Sequence, residues 1–528
     1  MPKLGKSPVG AQLREIVSLA DAANQLDEQR GTSDSSASIE EVLSRRAALR
    51  LAAVGAAVGL AGGALAKVER FLEPGATPKD VRVAIVGGGI AGLSAAYHLK
   101  RAGIRAQVYE AQSRIGGRIF SRYDMGPGLT TEVGASFIDS THTDMLRLAK
   151  TFDLSMWDTM AKSEEKLQPA YFFGGKMRLN NEVLAAIKPF VARIKYDQNH
   201  AVANSHKDFN ALAGKLDHIS TKDYLQKLGV KDWLYDFLDV ALMTENGTEI
   251  DKLSALQCFG ELGTNRTGPY ELFAYSDQRY ATNGGNHQIP QGLADAVADQ
   301  IHLGQWLESV RKDSSGAYEL TFKTSGGTQT VKADYVIMTV PFKILRDLDF
   351  DVPLSLKKKQ AIKELNYGYN CKLVLGFKDR FWRSQGTTGL FFTDLPIQSG
   401  WDSGWMQPTV ESNLTLFFGG QAAIDQVGLP IEARVEQYLP QVDLMFPGAA
   451  KKFTGKRTQF NWPHFKYIRA SYSAYSTGQQ TTFGGIERVP EGRMFFAGEH
   501  CDPDDQGFMN GGAKTGRLAA AALAKAIR

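Results

Sequence analysis

Residues 81–118 read VRVAIVGGGIAGLSAAYHLKRAGIRAQVYEAQSRIGGR, and the order of features within them decides the fold. Residues 81–86 are a short apolar run rich in β-branched side chains, which predicts a strand buried in a parallel sheet. Gly87, Gly89 and Gly92 follow at once in a G-x-G-x-x-G frame, and 90–102 carry helical periodicity. Val108, Tyr109 and Glu110 read as the end of a second strand. Such a unit has a physical logic. Gly87 permits a tight turn, Gly89 lets the backbone approach a pyrophosphate, and Gly92 allows close packing of helix on strand. The helix N-terminus, at Ile90 and Ala91, offers free N–H groups and a positive dipole end to phosphates. Glu110, about twenty residues on and followed by Ala111, sits where an acid accepts hydrogen bonds from a ribose hydroxyl. A glycine-rich turn in an ordinary α/β protein would not need strand, glycines, helix, strand and acid in this order. Dinucleotide binding is the expectation.

Arg114-Ile115-Gly116-Gly117-Arg118 closely follows the acid. This R-x-G-G-R resembles the flavin amine oxidases and their FAD-binding relatives, in which the glycine pair and arginine pass close to the diphosphate and the flavin. An NAD enzyme would not need it. The resemblance implies FAD as cofactor and an α/β fold. A Rossmann-like FAD-binding domain, of the two-dinucleotide-binding-domain flavoprotein kind, is expected from residues 78–140, 281–345 and 485–528. A second domain for the substrate, part mixed sheet and part helical, is expected from 141–280 and 346–484.

Composition sets the bounds. A chain of 528 residues can fold into two or more domains with a full core. Its 43% hydrophobic and 22% charged content is that of an ordinary soluble protein. A formal charge of +4 gives no support to nucleic-acid binding, and the run 357–359 reads as a solvated helix face. Cys258, Cys371 and Cys501 cannot make a disulfide framework, and the histidines show no metal-ligand spacing, so no metal site is expected.

Residues 1–43 are polar and read as disordered. Then Ser44-Arg45-Arg46 precedes LAAVGAAVGLAGGALA (51–66), which looks like a twin-arginine export signal with an A-x-A cleavage site ending at Ala66. An uncleaved membrane-anchor helix is the alternative, and the short, glycine-laced apolar run favours cleavage. The expectation is a periplasmic or secreted protein that meets the twin-arginine export machinery, with 73–75 a linker.

Further segments extend the resemblance. TEVGASFI (131–138) reads as a strand with a Gly-Ala break and is similar to the family's E-[LV]-G-A stretch, which places Gly134, Ala135 and Ser136 beside the flavin. Residues 141–280 read mainly helical, with apolar positions at helical spacing in 145–152 and 223–243. GGNHQIPQGL (284–293) resembles the family's glycine-pair segment, with His287 as a structural or ligand histidine. Short strands are read at 306–311, 317–323, 328–332 and 335–340; the family's adenine contact falls on Leu307. Lys372 stands at the head of an apolar run, where an unpaired ammonium is costly to bury, so it belongs to a sheet edge or a functional site. The family carries a lysine there, ahead of an F-W pair (here Phe381-Trp382), that holds a water against flavin N5. In the same way Trp462 falls on a flavin-contacting tryptophan and Tyr472 on the first wall of an aromatic cage. Ser471 takes the position of a flavin-linking cysteine, so non-covalent FAD is expected. Gly498 and Glu499 end an F-A-G-E stretch, and Gly507-Phe508-Met509 opens the closing G-[YWF]-x-x-G-A motif, with Phe508 as second cage wall. Asn510 replaces that motif's more usual acid.

What the resemblance implies is oxidation of a primary or secondary amine, a monoamine or a polyamine. A hydride equivalent passes to N5, and the imine hydrolyses with release of ammonia and, through oxygen, hydrogen peroxide. An L-amino-acid oxidase or dehydrogenase is the runner-up. Many of those have an arginine after E-L-G where Ser136-Phe137-Ile138 stand here, leaving Arg279 or Arg469 to serve. A C–C desaturase or protoporphyrinogen oxidase-like enzyme is the alternative of another class, and a non-enzymatic flavoprotein would leave Lys372 and the cage unexplained. The expected partners are the amine or amino acid, oxygen and the export machinery, with a homodimer left open.

Overall fold

The computed structural model describes residues 72–73, 81–265, 270–273 and 276–528. The segments read as a polar lead and an export signal, and most of the expected linker, lie outside the described residues.

A five-stranded sheet sits under the glycine turn. Its order is Ile301–His302, Ala106–Tyr109, Val83–Val86, Tyr335–Met338 and Met494–Phe496, all parallel. Val83–Val86 is central and buried at every position, as its unbroken apolar run requires. The helix Ile90–Arg101 leaves the first strand, and the C-terminal helix Met509–Ile527 lies directly on it. Glycine makes this approach close. A Cβ on Gly516 would stand 2.1 Å from the Ala91 carbonyl oxygen, and one on Gly512 would stand 2.8 Å from Ile90. Residues more than 400 positions apart in sequence thus complete one layer.

Trp306–Lys312, Tyr318–Thr324 and Gly327–Ala333 form a separate antiparallel sheet, joined by Asp349–Asp351. Tyr318, Leu320 and Phe322 turn one face of it into the core. The third sheet has seven strands, ordered Phe453–Asn461, Asn370–Phe377, Ser412–Gly419, Ser399–Asp402, Thr387–Thr393, Gln168–Phe173 and Lys176–Arg178.

Three local readings are refined by the structure. The 141–280 region is mainly helical as read, but Gln168–Phe173 and Lys176–Arg178 within it extend the large sheet. Its four consecutive buried residues, Ala170 to Phe173, suit a strand covered on both faces. The periodic stretch 223–243 spans two helices, Thr221–Leu228 and Asp232–Asn246, because Gly229 (φ 85°) ends the first in the left-handed region. Within the 131–138 segment Thr131–Glu132 pairs as strand and Ile138 makes an isolated bridge to Tyr280; between them the chain bends at Gly134, where a Cβ would meet the Arg118 carbonyl oxygen at 2.1 Å.

Asn510, unexplained by sequence, caps another helix. Its Oδ1 accepts from the backbone N–H groups of Asp144 (2.9 Å) and Met145 (3.0 Å), in the first turn of Thr143–Thr151. Its Nδ2 donates to Asp505 at 2.7 Å. An acid here would set a second carboxylate against Asp505. Asn510→Ala should cost about 1–2 kcal/mol, the usual worth of a helix cap, and Asn510→Asp should also destabilise, both read as thermal unfolding of the flavin-loaded protein.

Candidate active site

A cavity of about 380 Å³ runs between the parallel sheet and the large sheet. Its wall at one end is backbone. Gly87, Gly89, Ile90 and Ala91 line it, with Gly116, Gly117 and Ala111. Gly87 adopts φ 110°, where a Cβ would strike Thr339 Oγ1 at 2.3 Å, so only glycine makes this turn. Two helix N-termini open into this end, at Ile90 and at Met509. Neither has a side-chain cap or an acidic residue in its first turn. Two positive dipole ends and a floor without side chains fit a diphosphate. Glu110 lies alongside, its carboxylate accepting from Gly88 N–H (2.6 Å) and Gln112 N–H (2.8 Å); burial raises its pKa and these bonds oppose the rise. Leu307 lines the neighbouring wall, next to a bulge in its strand.

Gly92 and Arg114 do not reach the cavity wall. A Cβ on Gly92 would lie 1.9 Å from the Gly87 carbonyl oxygen, so its part is packing of helix on turn. Arg114 folds back to donate to the carbonyls of Ile115 and Gly117 and covers the Phe120 ring, which holds the glycine pair in place. His287 is likewise outside, packed against Gly116 with its Nδ1 3.4 Å from the Ile119 carbonyl oxygen.

An ion pair occupies the middle. Arg118 donates to Glu499 (2.8 Å) and to the Ser471 carbonyl (2.8 Å). Glu499 also accepts from the Ser473 hydroxyl (2.7 Å) and the Gly507 N–H (3.0 Å). Burial alone would raise this carboxyl, and Arg118 with the surrounding donors holds it below the ordinary range. Gly498 lines the wall beside it. The Ser471 hydroxyl donates to Asn370 Oδ1 at 2.6 Å, and none of the three cysteines lines the cavity.

Lys372 is not at a sheet edge. Its strand is paired on both sides and buried along its length. The Nζ donates to the carbonyls of Glu132 (3.1 Å) and Gly134 (2.6 Å) and to the Ser136 hydroxyl (2.8 Å). The bend at Gly134 turns these oxygens toward it, with Ala135 on the wall between them. Burial pulls its pKa down to about 7, with Glu132 opposing. The Trp401 ring lies beneath at 4.9 Å. Trp462 donates to the Val133 carbonyl at 3.0 Å, fixing its indole on the same wall. Tyr472 donates to the Glu245 carbonyl at 2.5 Å, and Gly507 approaches its ring edge, bringing Phe508 close by. The Phe508 ring packs on His142 at 5.1 Å between centroids.

Several wall residues carried no sequence signal. Asp139, His142, Glu245, Glu261, Trp401 and Phe417 all line the cavity, the first four brought there from loops and helix ends and the last two from strands of the large sheet. Neither arginine considered for a carboxylate is present. Arg279 pairs with Asp158 (2.7 Å) and Arg469 with Asp347 (2.5 Å), both away from the wall. Among the described residues, Arg118 is the arginine that lines it.

Residues 90–524 match the family model described as flavin containing amine oxidoreductase. The chain is 24% identical over 484 residues to an L-amino-acid oxidase of Pseudechis australis, covering 86% of this chain and 90% of that protein. It is 23% identical over 465 residues to an L-amino acid dehydrogenase of Synechocystis, covering 83% and 94%. Among solved structures, putrescine oxidase bound to putrescine superposes with a TM-score of 0.72 at 21% identity, covering 84% of this chain and 99% of that one. Cyclohexylamine oxidase from Brevibacterium oxydans gives 0.72 at 22% identity, covering 85% and 99%. With the match spanning most of its length, the chain belongs to the flavin-containing amine oxidoreductases.

Proposed function

We propose that this enzyme oxidises a primary or secondary amine, consuming oxygen and water and yielding hydrogen peroxide, a carbonyl compound and ammonia, or a primary amine in place of ammonia where the substrate is secondary. The observation that carries this reading is one cavity holding Tyr472, Phe508 and Lys372 with its sole described arginine already neutralised by Glu499. An amino-acid carboxylate would find no free guanidinium among the described residues of the cavity wall; a neutral amine needs none. The putrescine and cyclohexylamine oxidases of the same fold support the choice of amines. The L-amino-acid oxidase and dehydrogenase relatives favour the second reading, amino-acid oxidation.

Bound FAD, non-covalent in this reading, supplies the two-electron acceptor. Its diphosphate would meet Gly89, Gly117 and the two helix ends, and Glu110 and Glu499 would face its ribose and ribityl hydroxyls. The chain's residues orient and desolvate. Tyr472, pinned by its hydroxyl, and Phe508 form apolar walls that favour the uncharged amine. Protonated Lys372 spends all three N–H bonds on protein oxygens. Once it loses a proton its lone pair can hold a water by accepting an O–H, and a pKa near 7 makes that form accessible. For the N-terminal segment we propose twin-arginine export, on residues 45–66.

Purified, FAD-loaded enzyme should bleach anaerobically with amines and release ammonia and peroxide on admission of air. Bleaching by L-amino acids alone would overturn the reading. Lys372→Met should slow reoxidation about 100-fold, the scale of a lost acid–base group. Because burial lowers the lysine pKa to about 7, wild-type reoxidation should change as pH rises through neutrality, and the variant's profile should lose that inflection.

A further inference from the structure

The segment 284–293 stands outside the cavity wall, yet it reaches Lys372 through a single bend. Gly285 adopts φ 105°, and a Cβ there would stand 2.7 Å from Ser121 Oγ. The bare backbone lets Asn286 enter the interior, where it is fully buried. Its polar atoms are all engaged. The backbone N–H donates to the Glu132 carboxylate at 2.7 Å. Nδ2 donates to the carbonyls of Ala135 (3.1 Å) and Ser136 (2.9 Å), and Oδ1 accepts from the Thr282 N–H (2.9 Å). The Ser121 hydroxyl also donates to the Glu132 carboxylate, at 2.9 Å. The oxygens on Lys372 Nζ belong to residues 132, 134 and 136, whereas Asn286 grips 132, 135 and 136. The two sets interleave. Asn286 fixes from outside the bend that the ammonium fills from inside.

Glu132 belongs to both sets, its carbonyl on the lysine and its half-buried carboxylate on Asn286. It is the acid whose field acts on Lys372. Burial raises its own pKa to about 7, opposed by the Asn286 N–H, the Ser121 hydroxyl and Lys372. The other titratable group facing it is Tyr123, which is exposed. Lys372's neighbours on the adjoining strands, Phe460, Phe417 and Trp401, carry no charge. We propose that Glu132 and Asn286 are positioning residues for Lys372: Asn286 keeps its three oxygens in place, and Glu132 holds the proton on its ammonium. The inference rests on the role given to Lys372 above. A negative charge stabilises an ammonium, so Glu132 raises the pH at which the lysine releases its proton to solvent and frees its lone pair. Without that charge the release should come at lower pH.

The test uses the full-length, FAD-loaded enzyme with its flavin reduced by light and EDTA, so that no amine is needed, then mixed with oxygen from acid to alkaline pH. The spectrum of the oxidised flavin is titrated over the same range. Wild type should show an inflection near neutrality in both. Glu132→Gln keeps an acceptor for Ser121 and Asn286 and drops the charge, and its inflection should move about one pH unit lower in rate and spectrum alike. Asn286→Ala should slow reoxidation on the order of 10-fold or more, the scale of a misplaced group. In the Lys372→Met background each substitution should change reoxidation by less than about twofold, because both act through the lysine. An inflection that stays in place in Glu132→Gln, or an Asn286→Ala effect as large without the lysine as with it, would overturn the inference. Should Asn286→Ala fail to load flavin, Glu132→Gln decides alone. A wild type without the inflection, with undiminished reoxidation in Lys372→Met, would overturn the lysine's role and this inference with it.

Discussion

The pairing of Arg118 with Glu499 is the constraint to which the site is tied. A carboxylate as enclosed as Glu499 costs several kcal/mol when left without partners. Its partners come from three separate places in the chain: Arg118, the Ser473 backbone and hydroxyl, and the N–H of Gly507. Satisfying one acid therefore brings together the loop after the second strand, the 471–473 run and the lead-in to the closing helix. Once that helix is seated, the stripe Gly512 and Gly516 lets it lie against Ile90–Arg101. Two helix N-termini then face one space. Uncapped helix ends in a protein interior need an acceptor, and a diphosphate is one of the few groups that can serve both.

Legibility in the sequence followed the range of the forces involved. The glycine turn is dictated within a few residues, since Gly87 and Gly92 are each forced by an atom only a few positions away or on the adjoining strand. The lysine was legible because an ammonium heading an apolar strand violates a local rule, and such violations mark sites. The strand Gln168–Phe173 was not, because a short apolar run reads equally as buried helix or buried strand until the sheet beside it is known. Asn510 shows the same limit in a polar residue. Its two acceptor bonds end 365 and 366 positions away, and nothing near it in sequence requires a cap. Glu245 resembles any acid in a last helical turn; only the cavity distinguishes it.

The cavity is electrostatically graded. Two uncapped helix ends make one end positive, with Arg118 neutralised by Glu499, and the carboxyl groups of Asp139, Glu245 and Glu261 line the other. Between them lies Lys372, in a setting that removes its charge as readily as it keeps it. The gradient separates two tasks. The first end suits an anionic group, and the second suits a group that donates hydrogen bonds.

This grading also accounts for the identity of residue 372. Arginine could satisfy the oxygens of Glu132, Gly134 and Ser136 but remains charged at any accessible pH. It would place a permanent cation beside Trp401 and Phe417. A methionine would fill the space and leave those three oxygens without a donor, two of them backbone carbonyls turned inward by the bend at Gly134. Lysine alone supplies the donors and can also surrender its charge. The bend, which exists because Gly134 has no side chain to meet the Arg118 carbonyl, sets the oxygens that hold it.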